Sequence, residues 1–248
     1  MTKENFTAIA VIADASSSMH PLTAETISNF NQFLAEQKAN PAEAAFSLCI
    51  FNTDYRLVHD FVPLNSVAEL TNQTYRCTGM TALLDAMGTT IDSLGAKLAA
   101  MPEEERPSKV IVLVITDGEE NSSRRFTIDQ IKDKVEHQRS KYSWEFVFIG
   151  ANIDAISTGT SLGFAAQNSV AYVPSAAGTG QLYSSVSSNL NAYRSSLAPA
   201  QVDFFGQTGV TPTNAPVNNP DTTPPSNQAA TPQTTTGFNP GHSLPTNK

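Results

Sequence analysis

Apolar residues follow two patterns along the chain: short continuous runs, and longer stretches with an apolar residue every three or four positions. The first pattern is typical of strands buried on both faces of a sheet, and the second of amphipathic helices. The predicted strands cover residues 6–13, 44–51, 55–62, 110–116, 144–149 and 170–173. The longest helical stripe consists of Leu83, Met87, Ile91, Leu94 and Leu98. Strands and helices therefore alternate along most of the sequence.

This alternation predicts the fold class. Strands separated by helices are joined by right-handed crossovers, which make a parallel sheet with helices on both faces. We expect residues 5–197 to form one α/β domain with a doubly wound, mostly parallel central sheet. Residues 55–62 follow the turn Asn52-Thr53-Asp54 so closely that they are predicted to be an antiparallel strand at the sheet edge. The run 110–116 is apolar on both faces and is expected near the centre.

The composition changes after about residue 197. Residues 198–248 are rich in Pro, Thr, Asn and Gln, with few charges and no periodic apolar groups. Such a segment cannot offset the entropy cost of ordering, about 1–2 kcal/mol per residue, and is predicted to be a disordered tail. Its pair Phe204-Phe205 is interpreted as exposed. It is either a short docking motif, a cap on the end of the domain, or without a role.

Charge and cysteine content narrow the class of protein. The formal net charge is -8 and the pI about 4.9, which disfavours a nucleic-acid partner. No apolar run reaches the roughly 18 residues of a membrane span, and the first residues lack the features of a signal peptide. The two cysteines, Cys49 and Cys77, do not suggest a disulfide framework. The expected location is therefore the cytoplasm, with no membrane partner.

Oxygen-bearing side chains follow the predicted strands at three places. Asp14, Ser16 and Ser18 come directly after the first strand, Thr81 precedes the long helix, and Asp117 follows the run 110–116. In an open α/β sheet, ligands bind at the carboxyl ends of the strands. Two carboxylates and three hydroxyls are hard oxygen ligands, which suit Mg²⁺ or Mn²⁺. The sequence therefore predicts one metal site built from these five residues.

These motifs resemble the von Willebrand factor type A family. Its metal-ion-dependent adhesion site has the pattern Asp-x-Ser-x-Ser, then Thr, then Asp, which is matched here by Asp14-x-Ser16-x-Ser18, Thr81 and Asp117. The resemblance covers residues 5–197, and the segment 148–152 is similar to small standalone bacterial and phage members. It implies a Rossmann-like fold and a Mg²⁺- or Mn²⁺-dependent module that binds an acidic residue of a partner protein.

Enzyme classes fit the sequence less well. A serine hydrolase would need Gly-x-Ser-x-Gly, and a phosphatase with an aspartyl nucleophile normally has a second Asp where Ser16 stands. No Gly-x-x-x-x-Gly-Lys-Ser/Thr loop occurs. We therefore expect a binding module and no catalytic residues; the alternative is a metal-dependent hydrolase or phosphotransferase on the same fold. Asp85 is interpreted as part of a solvated helix face, with support of the metal site as the alternative. Glu119 and Glu120 are interpreted as exposed loop residues, with shaping of the rim of the binding face as the alternative. The partner and the oligomeric state do not follow from the sequence.

Overall fold

Six strands and five α-helices form the described part of the protein, a computed structural model that describes residues 2–151, 153–172, 176–196 and 204–205. The strands are β1 (Lys3–Asp14), β2 (Glu43–Phe51), β3 (Tyr55–Pro63), β4 (Pro107–Thr116), β5 (Glu145–Ala151) and β6 (Ser169–Tyr172). The helices are α1 (Thr23–Ala39), α2 (Leu83–Ala100), α3 (Ile128–Tyr142), α4 (Ala155–Ser161) and α5 (Ala176–Ser195). The chain divides into two units, Met1–Pro216 and Val217–Lys248, and every described residue belongs to the first.

The strands form one sheet in the order β3-β2-β1-β4-β5-β6. All neighbours are parallel except β2 and β3, which are antiparallel. The predicted fold class is therefore confirmed, including the antiparallel edge strand and the central position of β4. From β1 the sheet grows in both directions, so the strand order reverses between β1 and β4. In a doubly wound sheet such a reversal opens a crevice at the carboxyl ends of the two strands.

Side chains on alternate strand positions fill two hydrophobic cores. In β1, Ile9 and Val11 face the core covered by α1 and α5, whereas Ala10 and Ile12 face the core covered by α2, α3 and α4. This two-residue period explains why the central strands are apolar throughout. The helices therefore cover both faces of the sheet, and polar loops lie at the carboxyl ends of its strands, called the carboxyl edge below.

Two short-range predictions concern helix starts. The three-residue spacing of Thr127 and Gln130 in the sequence predicts a capping box at the start of α3. It is present, since Thr127 accepts a hydrogen bond from the Gln130 amide and Gln130 accepts one from the Thr127 amide. Asn152, predicted to cap α4, lies outside the described residues, as does Val173 of the last predicted strand. The carboxylate of Asp154 accepts a hydrogen bond from the Ser157 amide at 3.0 Å and caps α4.

Two buried cations hold the last turn of α5. Arg194 is fully buried, and its guanidinium donates to the carbonyls of Gln37 and Ala42, both at 2.6 Å. The ammonium of Lys109, near the start of β4, donates to the carbonyls of Tyr193 at 2.6 Å and Arg194 at 3.1 Å. Lys109 thus bonds free carbonyls at the C-terminus of α5, and Arg194 bonds one at the C-terminus of α1. A cation at a helix C-terminus also interacts favourably with the helix dipole. The end of α5 is thereby fixed near the amino ends of the parallel strands.

Phe204 and Phe205 are buried, contrary to the interpretation of an exposed pair. Phe204 is 0% exposed and Phe205 5%, and both belong to the core under α1 and α5. The Phe204 ring lies 6.1 Å from the Tyr193 ring, and its amide donates to Asn168 at 3.2 Å. An apolar pair covered in this way is not displayed for docking, and we expect the folded unit to extend at least to Phe205.

Two further features concern the cysteines and the length of the helices. Both Cys49 and Cys77 are free thiols. None of the helices in the described ranges is long and apolar enough to cross a lipid bilayer.

Candidate metal site at the carboxyl edge of the sheet

Three loops meet at the carboxyl edge, above the reversal between β1 and β4. The first follows Asp14 at the end of β1, the second precedes α2 and contains Thr81, and the third follows Thr116 at the end of β4. Because Ala13 pairs with Ile115 across the two strands, the strand ends lie side by side. The sheet register therefore brings the first and third loops together.

Asp14 is completely buried, and hydrogen bonds fix both of its carboxylate oxygens. Oδ1 accepts from the Ser16 amide at 2.7 Å, and Oδ2 accepts from the Thr116 hydroxyl at 2.6 Å. The hydroxyl of Tyr75 donates to the Asp14 carbonyl. The side chain is thus held in one orientation at the base of the loops, and its neighbours are hydroxyl and amide groups.

A chain of hydroxyl groups connects the first loop to Asp117. The hydroxyls of Ser16 and Ser18 lie 3.0 Å apart, and the Ser18 hydroxyl donates to Asp117 Oδ1 at 2.7 Å. Ser16 is buried, whereas Ser18 is exposed, and Asp117 is 7% exposed. Ser17, between the two serines, points outward. The alternation after β1 therefore places Ser16 and Ser18 on the same side of the loop, toward Asp117.

Thr81 reaches the same place from the second loop. It is buried. Its amide donates to Oδ1 of Asn121 in the third loop at 2.9 Å, and its carbonyl accepts from the Asn121 amide at 3.1 Å. A Cβ atom built on Gly118 would lie 3.4 Å from both the Ser18 and the Thr81 hydroxyl oxygens. Gly118 thus leaves open the space between these hydroxyls. Helix α2 begins at Leu83, so Thr81 lies in the loop and not in the first helical turn.

Burial perturbs both carboxylates of the site. Desolvation raises the pKa of Asp14 above its ordinary value; hydrogen bonds from Thr116 and Ser16 oppose this rise, and the charge of Asp117 adds to it. Desolvation likewise raises the pKa of Asp117, opposed by the hydrogen bond from Ser18. Two buried acids with little compensating positive charge are a setting that a bound cation would stabilise.

The donor set fits a hard divalent ion. Asp14, Ser16, Ser18, Thr81 and Asp117 supply oxygen atoms only, which suits Mg²⁺ or Mn²⁺ and not a thiolate- or imidazole-bound metal. In the part of the chain that the structure describes, no three His, Cys, Asp or Glu side chains cluster as a metal-binding group. The five predicted residues include only two carboxylates, so any coordination here depends on the hydroxyls.

Two acids outside the predicted set fix the third loop to the start of α2. Glu120 accepts from the Leu84 amide at 2.9 Å and from the Ser123 amide at 2.7 Å. Asp85 accepts from the amides of Arg124 and Arg125, both at 2.9 Å, and of Phe126 at 3.0 Å. Carboxylates at a helix N-terminus satisfy free amides and favour the dipole. The default interpretation of Asp85 and Glu120 as solvated residues was therefore wrong, and the contacts favour the alternative that they support the loops of the site.

These contacts predict an acid-sensitive stability. Burial opposes ionisation of Asp85, but its backbone donors outweigh this effect and its pKa lies below the ordinary value. A lowered pKa adds stability above the unfolded pKa of about 3.9, which is lost as the pH falls through the folded value. We expect Asp85→Ala to lower the free energy of unfolding at pH 7 by about 1–2 kcal/mol. Urea unfolding curves should show this difference shrinking below about pH 4.

Asp92 provides the matched control for this prediction. It lies on the same helix and forms an exposed ion pair with Lys134 at 2.6 Å. Exposed pairs contribute about 0–1 kcal/mol, so Asp92→Ala should have a smaller effect. Equal losses in the two variants would contradict a specific role of Asp85 in holding the loop.

Sequence reasoning missed three further contacts at this edge. Thr116 was predicted only as the last residue of a strand, and no role was predicted for Tyr75 or Asn121. Each forms one or two hydrogen bonds with a residue at least 40 positions away. A lone Tyr or Asn carries no local pattern that would signal such a contact. The one usable signal was Thr116, because it directly precedes Asp117 at the strand end.

The fold and the edge together define a class: a doubly wound α/β domain with an oxygen-rich site at its topological switch point. The family model described as the von Willebrand factor type A domain matches residues 8–182, well over half of the chain. The chain therefore belongs to the von Willebrand factor type A domain family, which confirms the resemblance seen in the sequence. Domains of this family are generally protein-interaction modules, commonly bind a divalent metal and are usually not enzymes.

Solved structures share the fold at low identity. One is the proximal thread matrix protein 1 from the mussel byssus, with 17% identity and a TM-score of 0.51, covering 76% of this chain and 46% of that chain. Another is a mutant of the PilB minor pilin from Streptococcus sanguinis, with 12% identity and a TM-score of 0.52, covering 77% and 63%. A von Willebrand factor type A protein from Catenulispora acidiphila has 14% identity and a TM-score of 0.48, covering 75% and 42%.

The protein spans less than two thirds of each of these solved chains. At such identities the likeness concerns the fold alone. A comparison with curated protein sequences gives no match.

Proposed function

We propose that this domain binds a partner protein through a divalent metal ion, Mg²⁺ or Mn²⁺. Asp14, Ser16, Ser18, Thr81 and Asp117 would hold the ion, and an acidic side chain of the partner would complete its coordination. The observation that supports this proposal most is the meeting of three loops around Gly118, where two hydroxyls lie next to the space that a Cβ would fill. The position at the switch point between β1 and β4 agrees with it.

The chain's own residues account for the selectivity of such a site. Asp14 is kept in one orientation by the Ser16 amide and the Thr116 hydroxyl, so it offers a fixed negative charge. Ser16, Ser18 and Thr81 contribute neutral oxygens and leave much of the ion's charge uncompensated. When bound, the ion would act as a Lewis acid toward a partner's carboxylate. Recognition of an acidic residue follows, although the protein itself carries a net charge of -8.

We infer that the module is not an enzyme. The side chains hydrogen-bonded to the Asp14 and Asp117 carboxylates, among the described residues, are the hydroxyls of Thr116 and Ser18. An alcohol hydroxyl is a poor general base at neutral pH. The alternative remains a metal-dependent hydrolase or phosphotransferase. Turnover of a generic phosphoester with Mg²⁺ that is lost in Asp117→Ala would favour that alternative.

The test of the proposal is stabilisation by the metal alone. At a free Mg²⁺ concentration of about ten times its Kd, binding to the folded state adds about 1.4 kcal/mol, which raises Tm by about 3–6 °C. Mn²⁺ should act in the same way, and Zn²⁺ should show no preference, because the set contains no Cys or His. Thermal unfolding and calorimetry check this. An absence of Mg²⁺ and Mn²⁺ binding at millimolar concentration would contradict the proposal.

For the partner we propose only its chemical class, and for the location only a compartment. The partner is a protein that presents an acidic residue, and a nucleic-acid partner is disfavoured by the charge of the chain. A cytoplasmic location stays a prediction from the sequence.

A further inference from the structure

A cleft of about 380 Å³ opens beside the candidate metal site. It lies between the loop after β1, the turn after β2 and the segment that leads to α2. The lining residues used below are Ala15, Asn52, Asp54, Arg56, Arg76 and Thr78. Ala15 is the chain neighbour of both Asp14 and Ser16, so the cleft and the metal site share a wall.

Backbone hydrogen bonds fix this wall. The Ala15 amide donates to the Phe51 carbonyl at 2.7 Å, and the Ala15 carbonyl accepts from the Thr78 amide at 2.8 Å. The side chain of Asn52 donates to the Thr78 hydroxyl at 3.0 Å. The same contacts that position the loop with Asp14 and Ser16 therefore shape the cleft. A ligand would meet a largely formed surface, which lowers the entropy cost of binding.

Positive charge is concentrated in the cleft. Arg56 and Arg76 are both exposed, and the Arg56 guanidinium donates to the Thr74 carbonyl. Neither arginine forms an ion pair with a described residue; the acid that lines the cleft is Asp54. Arg56 and Arg76 therefore place positive charge on the β2 side of the metal site.

We propose that the cleft binds a second carboxylate of the same partner segment whose first acidic side chain goes to the metal. This inference rests on the proposed function. Guanidinium groups pair with carboxylates in a fork geometry that favours them over a simple point charge. A volume near the lower end of ligand-sized pockets suits a short piece of extended peptide. The position of the two arginines also sets a direction, with the second acidic residue of the partner lying toward β2.

The experiment uses the full chain labelled with ¹⁵N and a set of short synthetic peptides. One peptide carries a single Asp, and the others add a Glu about two to five residues before or after it, a span that an extended chain covers at about 3.3–3.6 Å per residue. Titrations with Mg²⁺ and with EDTA give the affinities. At one spacing we expect the second carboxylate to raise the Mg²⁺-dependent affinity by about threefold, as for an exposed ion pair.

Arg76→Gln should abolish this gain and leave the affinity for the single-Asp peptide unchanged. Arg76 is the preferred position because Arg56 also holds the Thr74 carbonyl. The control is Arg124→Gln, which removes the same charge from an exposed arginine outside the cleft and should keep the gain. It also tests whether the loss comes from the total charge of the protein.

The outcomes separate the two proposals. A single-Asp peptide that fails to bind with Mg²⁺ would overturn the metal-dependent function and the cleft assignment with it. Normal binding of that peptide with no gain at any spacing would overturn the cleft assignment alone. A last set of peptides carries phosphoserine in place of the added Glu. A gain for phosphoserine without one for glutamate would also overturn the cleft assignment, because the cleft would then select a phosphate.

Discussion

Asp117→Ala is expected to lower the affinity for Mg²⁺ by at least about a hundredfold while leaving the domain folded. Asp117 stands just beyond β4, and the one described side chain that donates to it is that of Ser18. Ser18 is exposed and also contacts Ser16, so its hydroxyl finds other partners when the carboxylate is removed. The loss should therefore fall on the metal and not on the core. Calorimetry with Mg²⁺, together with circular dichroism, measures both quantities.

Asp14→Ala is a less clean probe of the same site. It would leave the Ser16 amide and the Thr116 hydroxyl without their buried acceptor, which costs about 1–3 kcal/mol for each unsatisfied group. Its effects on metal affinity and on folding would then be mixed. This contrast makes Asp117 the position at which the function can be tested alone.

Ser17→Ala is the internal control for the metal site, because Ser17 lies between two proposed ligands and points to solvent. Metal affinity should be unchanged in this variant. Once a partner is known, Asp117→Ala and EDTA should each weaken its binding by at least about tenfold, or 1.4 kcal/mol, without adding. Unchanged partner binding under both treatments would mean that the domain binds through another surface.

The largest effect on stability is expected from the two phenylalanines near the end of the domain. Replacing both Phe204 and Phe205 with alanine should lower the free energy of unfolding by at least about 3 kcal/mol, because each loses buried contacts and leaves a cavity. For a domain of this size the corresponding fall in Tm is at least about 6 °C. Urea or thermal unfolding of the full chain measures it. A chain that ends at residue 197 should show a comparable loss.

Two controls isolate the contribution of this pair. Phe238→Ala makes the same substitution in the segment predicted to be disordered and should change stability by less than about 0.5 kcal/mol. A chain that ends at Pro216, where the first unit ends, keeps the pair and should unfold like the full chain. If instead the chain that ends at residue 197 were as stable as the full chain, Phe204 and Phe205 would contribute nothing to the fold.

Elements with a strong periodic pattern were predictable from the sequence. β1 and β4 are long apolar runs, which predicted two buried strands with Asp14 and Asp117 at their carboxyl ends. The central position was predicted for β4, because it is apolar on both faces. The capping box at Thr127 was predictable for the same reason, since its two partners are three residues apart. In each case the physical cause operates over a few neighbouring residues.

Contacts between distant residues were not predictable in this way. Glu120 holds the start of α2, and Arg194 holds the end of α1, each through hydrogen bonds across more than 30 residues. Phe204 and Phe205 stand in a stretch whose composition argues against order, and a pair of adjacent rings has no helical or strand period. Their burial depends on the surface left by Tyr193 and Asn168, which exists only after the sheet and α5 have assembled.

The place where Phe204 docks determines how the domain can be presented to a partner. Asn168, which binds its amide, directly precedes β6, and the same side chain donates to Glu145 at the first residue of β5. Glu145 therefore marks the amino ends of the parallel strands, whereas Asp14 and Asp117 lie at the carboxyl ends. Glu145 pairs with Ile111 of β4, and the two ends are about 20 Å apart at 3.3 Å per strand residue. A label, spacer or solid support joined directly after Phe205 would start near the amino ends of the strands and leave the approach to the candidate metal site clear.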